Sequence, residues 1–339
     1  MIDRETIRPR LLHWITEVYD ADADLGQVWP LPGHAGLSFG FEVLRADDTT
    51  KLVIRLAPPG VRRRGNTDVL RQVPLLTALD HANIPVAAVL WHSPDESWFD
   101  TDAYIQKFLT GAPFDMAGSA GQRLDEEVSR PYLRNAARVL ASIHLMDWRD
   151  ELADWEPVKL PEQDIEFWRT LQPKMAEPHM PPAADALADA LLASKPTDYP
   201  IGVFHGDFHT NNILFEDDAG VSGVVDWEIS GIGSQTLDIA WLSMMTDTAC
   251  WAPNKQSVMR VVVDPKWLLG EYQEALGREV RDAAWHKAYA CYRFGVITGF
   301  NLYLHRSGKR DDPHWEDAGA STIPLFDRGQ HLLAHPEDF

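Results

Sequence analysis

The stretch IGVFHGDFHTNNILFEDDAGVSGVVDWEISGIGSQTLDIAWL, residues 201–242, decides the fold. Its pattern predicts a strand that leads into a polar loop, then a short strand, a turn, a third strand and a helix. In this arrangement Asp207, Asn212 and Asp226 stand at the ends of adjacent short strands. We therefore expect their three side chains to converge.

Phosphoryl transfer requires this set of side chains. The acceptor hydroxyl needs a carboxylate that orients it and takes its proton, and Asp207 suits that role. Mg²⁺ binds carboxylate and amide oxygens, which suits Asp226 and Asn212. The spacing His205-Gly206-Asp207-x-x-x-x-Asn212 also follows the order of the protein-kinase catalytic loop, where a metal-binding Asp comes later. The segment thus predicts a catalytic base, Asp207, and a metal site at Asn212 and Asp226.

Two motifs, HGDFHTNN (205–212) and GVVDWE (223–228), resemble the catalytic and metal-binding signatures of the aminoglycoside phosphotransferase and choline kinase superfamily. Asp238 in LDIAWL matches a second Asp of that superfamily, which is usually structural. Over roughly residues 25–310, the chain resembles the branch that includes kinase-like domains fused to some acyl-CoA dehydrogenases. The segments that carry this second resemblance are IRLAPPG (54–60), RQVPLLTAL (71–79), IPVAAVLW (84–91) and YRFGVITGFNLYLHRSGK (292–309).

The resemblance implies an α+β, protein-kinase-like fold with two lobes. Residues 1–105 would form a small β-rich N-lobe that covers the nucleotide, and residues 106–112 a hinge. Residues 113–339 would form a large, mainly helical C-lobe with the catalytic loop, the metal site and the substrate-binding helices. The implied cofactors are ATP or GTP and Mg²⁺, and the implied partner is a small-molecule hydroxyl substrate.

The resemblance also implies where the nucleotide would be held. The loop GHAGLSFG (33–40) contains Ser38 and lies where the resemblance places a phosphate-covering loop, between the first two strands of the fold. Gln106 and Phe108 fall at the expected hinge, where backbone groups bind adenine. These residues are therefore the candidate nucleotide contacts, together with the strand cation considered next.

The strand cation is where the sequence departs from the protein-kinase pattern. Arg55 takes the strand position of the phosphate-binding Lys, and Gln72 takes the helix position of its Glu partner. Gln72 is neutral and cannot form the ion pair. A guanidinium can bind two phosphate oxygens at once through its planar fork. We therefore expect Arg55 to clamp the phosphates by itself, with Gln72 only steering it.

Patterning outside the motif predicts the remaining elements. Polar residues 47–50 predict a hairpin connection, Ser129 predicts the start of a helix, and the proline-rich stretch 173–182 predicts a connection. The predicted strands are 36–44, 51–60, 86–91 and 103–109, and the predicted helices are 67–79, the helix that starts at Ser129, 162–175, 183–194, 235–246, 265–276 and 281–305.

Composition and charge exclude other classes of protein. The net charge of −20 predicts no binding to nucleic acid, because that binding depends on neutralising phosphates. No apolar run is long enough to span a membrane, and the first residues lack the apolar core of a secretory signal. Cys250 and Cys291 form no CxxC motif, which fits a reducing cytoplasm better than a disulfide framework or a zinc site. The sequence does not predict the oligomeric state.

Two functions other than an active phosphotransferase stay open. The altered Arg55/Gln72 pair is compatible with a nucleotide-binding pseudokinase without turnover. The pattern His205-x-Asp207-x-His209 is compatible with a metal-dependent phosphoesterase, although the later histidines are scattered.

The phosphate acceptor is open as well. Residues 113–339 hold 36 acidic and 20 basic residues, a net charge of −16, which suits an aminoglycoside-like polycation. The resemblance to the dehydrogenase-fused branch suits a hydroxy acid or its CoA thioester instead.

Overall fold

The computed structural model describes residues 2–31, 37–116 and 123–339, with the backbone alone for Asn66. The chain divides into two units. The first comprises Met1–Gly111, Trp148–Trp155 and Ser222–Ile229, and the second comprises Ala112–Asp147, Glu156–Val221 and Ser230–Phe339. Asp226 therefore belongs to the first unit, although the sequence assigned all residues after 112 to the C-terminal lobe.

The described residues form an α+β structure whose helices and strands are numbered here in chain order. The helices are α1 (Arg4–Trp14), α2 (Gln72–His81), α3 (Glu96–Phe99), α4 (Glu126–Leu145), α5 (Arg149–Leu152), α6 (Pro161–Arg169), α7 (Met180–Ala193), α8 (Thr236–Thr246), α9 (Pro253–Gln256), α10 (Pro265–Leu276), α11 (Ala283–Arg306), α12 (His314–Gly319) and α13 (Thr322–Ala334). The strands are β1 (Asp24–Pro30), β2 (Leu37–Leu44), β3 (Thr49–Leu56), β4 (Val89–Ser93), β5 (Ala103–Lys107), β6 (Ala112–Pro113), β7 (Ile201–Phe204), β8 (Ile213–Phe215), β9 (Val221–Val224) and β10 (Gly231–Ser234).

The first unit is built on an antiparallel sheet with the strand order β1-β2-β3-β5-β4. Strand β3 lies inside the sheet, between β2 and β5. Its residues Leu52, Ile54 and Leu56 are buried in an apolar core that also contains Trp14 of α1. Because side chains alternate along a strand, Arg55 lies on the opposite face from this core. The sheet thus presents Arg55 away from the apolar packing.

Helix α2 is preceded by two short 3₁₀ turns, Gly65–Thr67 and Val69–Arg71, so it starts later than the prediction of residue 67. Pro74 lies in its first turn, where backbone N–H groups have no partner within the helix, and it therefore causes no break. Gln72 is buried at the start of this helix, and its Nε2 has no hydrogen-bond partner among the described residues.

The second unit is mainly helical and contains two small strand pairings. Strand β7 pairs with β10, and β6 pairs with β8, both antiparallel. Every residue of α8 is buried, and its apolar side chains pack in a core that is shared with α7, α11 and α13. A helix that is covered on all sides is a rigid support. Helix α8 can therefore fix the position of the loop that follows β7.

The structure corrects several predicted boundaries. Helix α4 starts at Glu126, so Ser129 is a buried residue within it and not its cap. Two acidic residues in the first turn favour this earlier start through the helix dipole. Helix α7 starts at Met180, inside the predicted connection 173–182, because prolines are tolerated in a first turn. Thr49 and Thr50 belong to β3. The helices outside the predicted set are α1, α3, α5, α9, α12 and α13.

Helix α11 has 24 residues, the largest number among the described helices. Charged side chains such as Lys287 and Arg293 interrupt its apolar sequence. Within the described part of the chain, no helix is long and apolar enough to cross a membrane.

Candidate active site

The loop after β7 is held in place by the carboxylate of Asp238. Asp238 Oδ2 accepts the His205 N–H at 2.7 Å, and Asp238 Oδ1 accepts the Gly206 N–H at 2.8 Å. Gly206 has a φ of 86°, a conformation that favours glycine because a Cβ would clash with the backbone. Asp238 therefore fixes the backbone of the two residues that precede Asp207.

Asp238 also joins this loop to the buried polar core of the second unit. Its Oδ2 lies 3.2 Å from Nε2 of His144, whose Nδ1 lies 2.6 Å from the Tyr272 hydroxyl. All three side chains are buried. Asp238 stands at the start of α8, but the backbone donors that it satisfies belong to the loop and not to its own helix. These contacts agree with the structural role that the resemblance implies for Asp238.

The carboxylate of Asp207 is surrounded by hydrogen-bond donors. Its Oδ1 accepts the indole N–H of Trp241 at 2.9 Å and lies 3.3 Å from His209 Nε2. Its Oδ2 accepts the side-chain amide of Asn212 at 3.2 Å. The Asp207 side chain stays 30% exposed. Two residues of the predicted site, Asp207 and Asn212, are thus in direct contact, and a partly open carboxylate can still reach a substrate.

The pKa of Asp207 follows from these neighbours. Burial by itself would raise the pKa of the carboxyl group. The charge of His209 and its hydrogen bond, with smaller contributions from His205 and the Trp241 N–H, outweigh burial and hold the pKa of Asp207 well below its usual range. Asp207 is therefore an ionised acceptor of hydrogen bonds at neutral pH.

Asn212 ends a 3₁₀ turn, Thr210–Asn212, which the Thr210 hydroxyl ties down by donating to Phe114 O at 2.6 Å. The Asn212 amide nitrogen also donates to the backbone oxygen of Asp207 at 3.0 Å. Since the nitrogen is directed at Asp207, the amide oxygen remains available as a ligand for a hard cation.

The arrangement of the two histidines does not favour a metal held by His205, Asp207 and His209. The His205 ring is fully buried, and its Nδ1 accepts the Asp207 N–H at 3.3 Å. Among the residues that the structure describes, no group of three His, Cys, Asp or Glu side chains could hold a metal ion.

In the first unit, the cation of β3 has a carboxylate partner. Arg55 Nη2 lies 2.5 Å from Glu228 Oε1, and the two side chains are only 19% and 15% exposed. Burial acts to lower the pKa of Arg55, but Tyr104, Glu228 and Asp226 raise it above the usual value. Burial and the charge of Asp226 raise the pKa of Glu228, although Arg55 opposes them. The short contact with the Arg55 guanidinium favours the ionised form of the Glu228 carboxyl group, so the two side chains form an ion pair.

This ion pair corrects the expectation for the strand cation. Arg55 does not act alone, and its partner is Glu228 rather than Gln72. Glu228 lies two residues after Asp226, in the motif GVVDWE. The acidic residue that protein kinases place on a helix is thus supplied here from a different segment. The second acid of DWE is the signal that could have identified it.

The segment Ser222–Ile229 is held within the first unit by hydrogen bonds that its backbone makes. The Val224 N–H donates to Pro85 O at 2.7 Å, and Arg71 Nη1 donates to Glu228 O at 3.4 Å. Asp226 itself is exposed and has a φ of 65°. A left-handed conformation is uncommon for a residue with a side chain and costs energy, which is typical of functional positions.

The other predicted nucleotide contacts are also in the first unit. Ser38 lies within β2, directly opposite Arg55, and not in a loop. Residues 33–36 of the predicted phosphate-covering loop lie outside the described residues. Gln106 lies in β5 opposite Val53, and the N–H of Phe108 donates to Lys51 O at 3.3 Å. That N–H is therefore occupied, and the adenine contacts of Gln106 and Phe108 stay a prediction.

Curated proteins similar to this chain include large dehydrogenases and one kinase. The chain is 28% identical over 237 residues to a probable acyl-CoA dehydrogenase of Arabidopsis thaliana, and the match covers 62% of this chain and 27% of that protein. It is 29% identical over 196 residues to mouse acyl-CoA dehydrogenase family member 11, covering 57% and 25%. The chain thus spans about a quarter of the length of these relatives. Against the homoserine kinase of Rhodospirillum rubrum it is 31% identical over 107 residues, covering 29% and 32%.

Solved structures with this fold cover nearly the whole chain. A candidate aminoglycoside phosphotransferase from Ralstonia eutropha superposes with a TM-score of 0.78 at 21% identity, covering 96% of this chain and 98% of that one. A choline/ethanolamine kinase family protein from Mesorhizobium loti gives 0.61 at 17% identity, covering 98% and 96%. A ternary complex of an aminoglycoside phosphotransferase with ADP and hygromycin B gives 0.57 at 15% identity, covering 96% and 99%.

The family follows from a match over more than half of the chain. The family model described as "Phosphotransferase enzyme family" matches residues 34–285, which include both motifs and the Arg55–Glu228 pair. The chain therefore belongs to the phosphotransferase enzyme family and has its kinase-like α+β fold.

Proposed function

We propose that the protein transfers the γ-phosphate of ATP or GTP to a hydroxyl group of a small molecule, with Asp207 as the catalytic base. The observation that carries this proposal is the Asp207 carboxylate, which is partly open and held by donors on both oxygens. Phosphoryl transfer needs little covalent chemistry from the protein, so positioning and electrostatics supply most of the rate. A fixed, ionised carboxylate is suited to orienting a hydroxyl and accepting its proton.

The proposed metal ligands are Asn212 and Asp226, with Mg²⁺ as the ion. Both offer hard oxygen donors, as Mg²⁺ prefers. Asn212 directs its amide nitrogen at Asp207, and Asp226 is an exposed carboxylate on a left-handed backbone. The assignment of these two residues to one ion rests on their order in the sequence. When bound, the ion would neutralise charge on the nucleotide phosphates.

Arg55 is the proposed phosphate-binding cation, and Glu228 is the residue that holds it. The Arg55 Nε is buried and has no hydrogen-bond partner among the described residues. A phosphate oxygen bound at this cation would satisfy that donor. Ser38 lies opposite Arg55 in the sheet and is a second candidate for phosphate binding. Gln106 and Phe108 are the proposed adenine contacts.

The acceptor is a hydroxyl compound of one of two kinds. An aminoglycoside-like cation would suit the charge of −20 of the whole chain. A hydroxy acid or its CoA thioester would suit the similarity to proteins named acyl-CoA dehydrogenases.

A panel of hydroxylated metabolites and antibiotics, each tested for coupled ADP formation with MgATP and with MgGTP, would test the proposal. We expect at least one acceptor to raise ADP formation well above the rate with water, and chelation by EDTA to abolish it. Nucleotide binding without any ADP formation would favour the pseudokinase instead. Release of phosphate from phosphomonoesters without a nucleotide would favour the phosphoesterase.

A further inference from the structure

The indole of Trp241 makes a contact that the catalytic motif does not explain. Trp241 lies on α8, is 1% exposed, and donates its N–H to Asp207 Oδ1 at 2.9 Å. Most buried indole N–H groups in proteins donate a hydrogen bond. Here the acceptor is the proposed catalytic carboxylate, which connects the base to the apolar core of the second unit.

Arg293 of α11 lies against the same indole. Its guanidinium carbon is 5.6 Å from the centroid of the Trp241 ring and 5.6 Å from that of Trp168. The residue is 2% exposed, and its Nε and Nη1 have no hydrogen-bond partner among the described residues. The cation is thus held between two aromatic rings rather than by a fork of hydrogen bonds.

The nearest carboxylate of Arg293 is shared with other donors. Asp164 Oδ2 lies 3.8 Å from Arg293 Nε, beyond hydrogen-bond distance. The same oxygen accepts the Tyr289 hydroxyl at 2.5 Å and the Trp168 N–H at 2.9 Å. Asp164 therefore balances the charge of Arg293 without bonding to it, and the guanidinium remains directed at the rings.

We propose that Trp241 and Arg293 are positioning residues for the base, a proposal that rests on the function proposed above. The Trp241 N–H fixes Asp207 Oδ1, and the cation on the indole polarises that N–H and makes it a better donor. Arg293 thus acts on Asp207 through Trp241. Neither residue touches the nucleotide in this scheme.

The first test is Trp241→Phe, which removes the N–H and keeps an aromatic ring beside Arg293. Loss of one hydrogen bond to a charged group predicts that kcat falls about 10- to 100-fold. The KM for MgATP should stay unchanged, because the proposed phosphate contacts belong to other residues. ADP release is measured with the acceptor found in the panel and, in parallel, with water as the acceptor.

Trp251→Phe is the matched control. Trp251 is buried in the same core and, like Trp241, packs against Phe294, with ring centroids at 5.7 Å and 5.4 Å respectively. Its N–H donates to a backbone oxygen, that of Met244, at 3.1 Å. If Trp241 were only a packing residue, both variants would change kcat to a similar extent. We expect kcat to fall in Trp241→Phe alone.

The role of Arg293 is tested by Arg293→Met in two backgrounds. In the wild-type background we expect kcat to fall by a smaller factor than in Trp241→Phe. In the Trp241→Phe background the same change should have little further effect, because the N–H through which Arg293 acts is gone. Equal effects in the two backgrounds would show that Arg293 acts independently of Trp241 and would overturn the proposal.

A spectroscopic measurement separates this inference from the proposed function. The indole N–H resonance of Trp241, identified by its loss in Trp241→Phe, should shift in Asp207→Asn and in Arg293→Met. An unshifted resonance in either variant overturns the inference whether or not the protein is active. If Asp207→Asn leaves ADP release unchanged, the proposed function fails. If Asp207→Asn lowers it and Trp241→Phe does not, the inference alone fails.

Discussion

The catalytic loop and the Arg55–Glu228 pair differ in how far apart in sequence their members lie. Asp207 contacts His209 and Asn212, two and five residues further along the chain. Arg55 and Glu228 are separated by 173 positions. Residue spacing brought Asp207 and Asn212 together, whereas the sequence predicted no acidic partner for Arg55. A short motif therefore carries its own geometry, whereas a long-range pair depends on the fold around it.

The largest effect is expected at the local cluster. Asp207→Asn keeps the shape of the side chain and removes the charge that accepts the proton. We expect turnover to fall about 10²–10⁴-fold, the usual range for general base catalysis, with little change in nucleotide affinity. Steady-state kinetics with the acceptor from the panel would measure this. Wild-type turnover in this variant would show that the loop does not carry the base.

Asp238 and Asp226 provide a second comparison. Asp238 holds the catalytic loop, and Asp226 lies two residues before Glu228. Asp238→Ala leaves two buried N–H groups and His144 without their acceptor, so the free energy of unfolding should fall by about 3 to 5 kcal/mol. Asp226→Ala should leave the melting temperature nearly unchanged and weaken binding of the Mg-nucleotide. Thermal melts and calorimetric titration of both variants decide this, and the reverse pattern would exchange the two roles.

Smaller effects are expected at the long-range pair. Arg55→Ala should weaken MgATP binding about 10- to 100-fold, as for loss of a charged hydrogen bond. Glu228→Gln should weaken it less, because the cation remains but loses its partner. Since Glu228 can also hold an ammonium group, Arg55→Lys should be milder still. If Arg55→Lys were as damaging as Arg55→Ala, the fork geometry of Arg55 and not the ion pair would determine the affinity.

The smallest effect is expected for Gln72→Ala, which is the control for this pair. The Gln72 Nε2 has no partner among the described residues, so the variant should change the affinity for MgATP by about 1 kcal/mol or less. The same titration measures it. A larger loss than in Glu228→Gln would restore Gln72 as the residue that holds the cation.

The sequence predicted the α+β fold and the strand-loop-strand path of the catalytic segment well. Those features depend on local patterning and on a few residues such as Gly206. It did not predict the contacts of Trp241 with Asp207 or of Arg293 with Trp241, because a buried Trp or Arg gives no periodic signal. The sequence predicted that α4 starts at Ser129, whereas the helix starts at Glu126. Ser129 has the chemistry of a cap but lies one turn inside the helix.

The two hydrogen bonds that the loop backbone donates to Asp238 have a consequence for amide hydrogen exchange. Amides in a surface loop usually exchange quickly through small local openings. The N–H groups of His205 and Gly206 instead donate to a carboxylate that is fully buried and tied to α4 and α10. Opening them would break both hydrogen bonds and leave a buried carboxylate without these donors. These two loop amides should therefore exchange as slowly as those of the core helices, which makes them reporters of global unfolding.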